Sequence, residues 1–204
     1  MKKIILALVV LTTTFYVSDA QIRFGLKAGA SFYNFGGDDA EDLDLDSKIS
    51  FNAGGMVNIP ISENFSFNPE VIFNGEGAKM EEGDDRVNYN LGYINVPLLL
   101  QFNSTSGFYA EFGPQVGFLM SAKYDFKIGG VEGDEDIKES FKGTNFSVAL
   151  GAGYRMSNGF GIGARYNLGL SNIADEDDAD LKTRGFQVGV SFLFGGSGGE
   201  AKKK

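Results

Sequence analysis

An alternation with period two occurs eight times along this chain, and it constrains the fold more than any other feature. Ile22, Phe24, Leu26, Ala28, Ala30 and Phe32 alternate with Arg23, Gly25, Lys27, Gly29 and Ser31, the spacing of a β-strand with one apolar face. The same pattern recurs from Ile49 to Ile59, Phe65 to Phe73, Ile94 to Phe102, Phe108 to Met120, Phe146 to Tyr154, Phe160 to Leu170 and Phe186 to Phe194. Tight polar turns at 62–64, 103–106 and 157–159 separate some of these runs. Long connections at about 34–48, 76–88, 121–143 and 173–184 separate the others, and they carry 22 of the chain's 27 acidic residues. Short turns at one end and long loops at the other are the habit of an outer-membrane barrel.

Alternation alone does not separate a membrane barrel from a soluble one, because a soluble barrel turns its apolar face inward. The opposite face decides. It carries twelve glycines (25, 29, 54, 113, 117, 151, 153, 161, 163, 169, 185 and 189) and many Asn and Ser, too small a set for a water-facing surface and well suited to a crowded interior. An eight-stranded barrel has a lumen that side chains just fill. The few long residues on this face, Arg23, Lys27, Glu70, Glu111, Arg155 and Arg165, are expected to form a structural charge network there. Counted from the turn end, they fall into two layers, one of Lys27, Glu70 and Arg165 and the other of Arg23, Glu111 and Arg155. Aromatic residues cluster at both ends of the apolar runs: Phe32, Phe73 and Phe186 toward the loops, Phe65, Phe108 and Tyr154 toward the turns. Two such girdles mark a bilayer crossing. The fold expected is therefore all-β, an eight-stranded antiparallel up-and-down transmembrane β-barrel over 21–194. A lipocalin-like soluble barrel that binds a small ligand is the alternative.

The ends read differently from the middle. Lys2 and Lys3 precede a short apolar run, and Ser18-Asp19-Ala20 supplies small residues for a cut before Gln21, so 1–20 is expected to be a signal peptide. Residues 195–204, a Gly-rich stretch ending in three lysines, read as a flexible tail. These ends and the strand count put both termini in the periplasm.

Composition narrows the chemistry. The chain has no Cys and no His, which removes thiolate and imidazole nucleophiles, bases and metal ligands. A net charge of −9 argues against nucleic acid as a partner. Asp42-x-Asp44-x-Asp46 opens like a calcium loop but lacks the turn glycine and the closing Glu, and the run Asp175–Asp180 has the charge without the spacing. No catalytic, metal or cofactor site is expected, and the protein is read as non-enzymatic. The expected partners are outer-membrane lipids and the barrel-assembly machinery, which the terminal Phe192-Leu193-Phe194 should engage. Secretion or envelope proteins remain further candidates.

Four motifs in order resemble the PorT-like outer-membrane β-barrel family of Bacteroidetes-type bacteria. They are Pro69-Glu70 with Gly75 and Gly77, Tyr93-Ile94-Asn95-Val96-Pro97-Leu98-Leu99-Leu100, Gly151-x-Gly153-Tyr154, and Arg165-Tyr166-x-x-Gly169-Leu170-x-Asn172-Ile173. Asn74 and Asn95 depart from the residues common at those places. The resemblance implies the barrel fold, the outer membrane and, through one member, an accessory role in type IX-like protein secretion.

Overall fold

The computed structural model describes residues 22–37, 45–175 and 180–195. The signal peptide expected at 1–20 and all of the 195–204 tail except Gly195 lie outside them. Nine strands follow in order: β1 (Arg23–Gly36), β2 (Asp46–Pro60), β3 (Phe65–Glu82), β4 (Asp85–Asn103), β5 (Phe108–Ile128), β6 (Val131–Asp136), β7 (Thr144–Arg155), β8 (Phe160–Gly169) and β9 (Lys182–Leu193). Each of eight strands pairs antiparallel with its sequence neighbour, β5 passing over β6 to pair with β7, and β1 closes on β9. The wall is an eight-stranded up-and-down ring without free edges, the closure by which a barrel pairs its backbone within hydrocarbon.

Inside and outside follow the alternation. Phe24, Leu26, Val71, Leu100, Phe112, Leu150, Ile162 and Val190 are exposed on the outer face. Their neighbours Asn68, Glu70, Gln101, Glu111, Asn167 and Arg165 are buried within. A soluble barrel would need the reverse. Outward aromatic rings also touch across strands: Phe51 and Phe73 toward the loop end at 5.3 Å, Phe65 with Phe102 at 5.4 Å and Phe108 with Tyr154 at 5.1 Å toward the turn end.

Two of the four expected loops are not loops. Residues 76–88 continue β3 and β4 into a hairpin whose ladder runs to Glu82 opposite Asp85, turning at Gly83 with φ 63°. Within 121–143, β5 runs on to Ile128 and pairs with the additional strand β6 through Gly129-Gly130, both at positive φ. That conformation is what a two-residue hairpin turn requires. The physical reason is an inversion of the binary pattern. Below Gly92, apolar residues point out and polar ones in. Above it, the outward positions are charged (Lys79, Glu81, Arg86, Lys123, Lys127), while Ala78, Leu91 and Ala122 turn inward and are buried. A bulge sits where the pattern changes on β5, so that Met120 and Ser121 are both exposed and the inward face stays in phase. Charged outward positions suit water, so the inversion marks the upper edge of the hydrocarbon belt. Of the other two expected loops, the first is shortened, since β1 reaches Gly36 and β2 begins at Asp46, and the second is shifted toward the N-terminus, since β8 ends at Gly169 and β9 begins at Lys182.

Candidate functional site

The lumen is built in three tiers, each from inward residues of several strands. At its centre the guanidinium of Arg165 on β8 joins two carboxylates. It donates from Nη1 to Glu70 Oε2 at 2.7 Å and from Nη2 to Glu70 Oε1 at 2.9 Å. It also donates from Nε and Nη2 to Glu111 Oε1 at 2.9 and 2.6 Å. Lys27 Nζ approaches both Glu70 oxygens at 3.3 and 3.4 Å. Two cations thus face two anions, and the cluster is neutral. Arg165 and Glu70 are buried to within a few per cent of completely, where charge-assisted, bidentate bonds offset the loss of water. A cavity of about 30 Å³ beside the cluster, lined by Lys27, Glu70, Tyr109, Glu111, Arg155 and Arg165 among others, is of water size rather than a channel.

Small residues make room for these long side chains. The Tyr109 ring lies over Gly153 and Gly163, and the Tyr33 ring lies over Gly185; a Cβ at any of the three glycines would collide with the tyrosine. These three glycines are therefore seats for tyrosine rings from other strands.

The turn-end tier is an amide network with two arginines. Arg23 Nη2 donates to Asn58 Oδ1 at 3.0 Å, Asn58 Nδ2 to Asn68 Oδ1 at 2.7 Å, and Asn68 Nδ2 to Gln101 Oε1. Arg155 reaches the same Gln101 oxygen at 3.4 Å and lies 5.0 Å from the centre of the Tyr109 ring. The loop-end tier joins Ser31, Asn52, Asn74 and Asn95 around a carboxylate that the sequence assigns to a loop. Glu76 Oε1 accepts from Asn74 Nδ2 and Asn95 Nδ2, both at 2.9 Å. Above it an apolar cluster closes the mouth: Phe35, Ala78, Leu91, Tyr93, Leu119, Ala122 and Ile173, with Leu45, Tyr89, Ile137, Phe141 and Leu181 packed against it.

All six charged residues singled out in the sequence lie on the inner face, but not in the two layers expected. Glu111 joins Arg165 and Glu70 rather than Arg23 and Arg155. Strands of a barrel tilt and stagger, so residues at equal counts from the turn end do not stand at equal heights. Of the acidic motifs, Asp42, Asp44, Glu176, Asp177 and Asp178 lie outside the described residues. Among the described residues, no group of three or more carboxylates is placed to hold a metal.

On the projecting hairpins, ion pairs bind strand to strand: Arg86 with Glu81 at 3.1 Å and Lys127 with Glu132 at 2.7 Å. The hydrogen bond from the Lys127 ammonium, with its charge, holds the Glu132 carboxyl below the usual glutamate range. A depressed carboxyl contributes its stabilisation above the ordinary glutamate range and loses it as pH falls through the depressed value. A carboxyl NMR titration is expected to show a lowered midpoint at Glu132 that Lys127→Gln restores; an unchanged midpoint in that variant would contradict the pairing.

A family model described as outer membrane protein beta-barrel domain matches residues 17–175. Among solved structures, Neisserial surface protein A is similar to this chain at 13% identity and a TM-score of 0.52, over 83% of this chain and 96% of its own. Ail, the attachment invasion locus protein of Yersinia pestis, gives 18% identity and a TM-score of 0.48 over 85% and 99%. OprG from Pseudomonas aeruginosa gives 12% and 0.37 over 85% and 94%. No curated protein sequence matches the chain.

Proposed function

The chain belongs to the outer membrane protein beta-barrel domain family, and from that premise we propose that it is a non-enzymatic, non-conducting barrel that displays a stiff acidic sheet at its loop end. The observation that carries this reading is the filled lumen: a neutral ion cluster at the centre, amide networks on both sides and an apolar lid. The cavity beside the cluster is of water size, about 30 Å³. The sheet presented outside is the upper part of β3, β4 and β5 with β6, where residues 79–86 and 123–136 carry nine acidic residues against Lys79, Arg86, Lys123 and Lys127. Outer-membrane lipid then surrounds the apolar belt, the barrel-assembly machinery inserts the chain, and both termini lie in the periplasm. Glu70 and Arg165 of the PorT-like motifs are engaged in packing the lumen, which favours an anchoring role over an accessory role in secretion.

Because the chain has no cysteine, single-cysteine labelling tests orientation and display cleanly. Gly130→Cys, at the tip of the β5–β6 hairpin, is expected to react with a membrane-impermeant maleimide on intact cells. Ser157→Cys, in a tight turn at the other end, should react only after the outer membrane is opened. Labelling of Ser157→Cys but not Gly130→Cys on intact cells would invert the topology and remove the display role.

A further inference from the structure

At the turn end of the lumen two buried donors, Gln101 Nε2 and Arg155 Nε, have no hydrogen-bond partner; nearer the loop end Glu76 Oε2, the Tyr93 hydroxyl, Asn95 Oδ1 and both amide atoms of Asn167 are likewise unpartnered. The turn end also opens into a recess of about 550 Å³ lined by Arg23, Arg155, Asn58, Ser66 and Ser104 and by one carboxylate, Glu63. Neither arginine makes an ion pair within 4 Å among the described residues, all of whose central carboxylates are engaged by Lys27 and Arg165. Arg23 has one amide oxygen, and Arg155 shares a long bond to an oxygen that already accepts from Asn68. Both arginines line the same recess. Two guanidiniums with spare donors, beside hydroxyls and amides, are the recognition chemistry of an oxyanion with several acceptor oxygens.

We propose that this vestibule binds a phosphate-class oxyanion, held by Arg23 and Arg155 together and hydrogen-bonded by the hydroxyls of its wall. A bound anion would balance two guanidinium charges that no carboxylate pairs with within 4 Å among the described residues. Arg155 lines both this recess and the small central cavity, so the ligand would rest on the turn-end face of the filled lumen and go no deeper. The phosphate belongs either to a free solute or to the headgroup of an anionic lipid, and the test separates the two.

Refolded full-length protein in uncharged maltoside micelles is titrated at constant ionic strength, in one arm with inorganic phosphate and in the other with a short-chain phosphatidylglycerol below its micelle concentration. Arginine Nε–H resonances report binding. A saturable shift of the Arg23 and Arg155 signals is expected in at least one arm. Arg23→Gln and Arg155→Gln should each weaken it about tenfold or more, the loss of a charge-assisted bond, while Lys182→Gln leaves it unchanged. A response to inorganic phosphate assigns the site to a free solute, and a response to the lipid alone assigns it to a headgroup. Retained heat-modifiable migration shows which variants are folded. Absence of a saturable shift in both arms of the unaltered protein overturns the proposal without recourse to any variant, as does binding that survives the double substitution in a folded barrel. Neither result bears on the orientation of the chain or on the closed lumen.

Discussion

Glu70→Gln is expected to destabilise the barrel by about 3–5 kcal/mol, the cost of leaving buried charge uncompensated. Glu70 accepts both Arg165 Nη donors and faces Lys27, and its side chain is fully buried. Neutralising it leaves Arg165 with Glu111 alone and Lys27 with no anion within 4 Å among the described residues. The shape of the side chain hardly changes, so the loss is electrostatic and not a cavity effect. Adding Lys27→Met to Glu70→Gln removes the orphaned cation, and the double variant should recover part of the loss. Reversible urea unfolding in lipid vesicles measures all three proteins. Equal stability of the Gln variant and the unaltered protein would mean that water already screens the cluster, and the lumen would then be wet.

Leu150→Arg should cost about 2–4 kcal/mol, the penalty for arginine at the midplane of a lipid-facing surface. Leu150 lies on β7 midway between the outward rings Phe146 and Tyr154 and is 61% exposed, so in the membrane its surroundings are hydrocarbon. Thr144→Arg provides the contrast. Thr144 points outward from the same strand beyond Phe146, at its loop end, as Arg184 stands outward and exposed beyond Phe186 at the loop end of β9. There the expected cost is only about 0–1 kcal/mol, because charge near the interface reaches water. The same unfolding assay reads both variants. If the two cost the same, the apolar belt does not sit where the reversal of pattern puts it.

The part of this fold that touches lipid was legible in the sequence, and the part above it was not. Hydrocarbon demands apolar residues at every second position, so Leu98, Phe112, Leu150 and Val190 announce their strand and their face together. In water the demand reverses. Lys79, Glu81, Arg86 and Lys127 then read as loop, although they belong to strands whose inward partners Ala78 and Leu91 continue the ladder. Gly129-Gly130 between Phe126-Lys127-Ile128 and Val131 was the signal that could have shown the second hairpin, since paired glycines supply the positive φ of a two-residue turn. Glu76 was missed for the same reason, counted among loop acids when it stands on an inward position of β3. The inward charges were visible as exceptions on a face of Gly, Ser and Asn. Their pairing was not, because which strand lifts which residue to which height is set by stagger around the ring and not by position along any one strand.

The closed lumen is the claim on which the proposed role depends, and conductance of the purified protein in a planar lipid bilayer tests it most directly. With Arg165 bridging Glu70 and Glu111 across the centre, and Phe35, Leu91, Tyr93 and Ile173 over the mouth, inserted protein should hold the membrane at baseline current without stable steps. Large, stable, ohmic channels from the unaltered protein would contradict the closed lumen and make transport, not display, the function to explain.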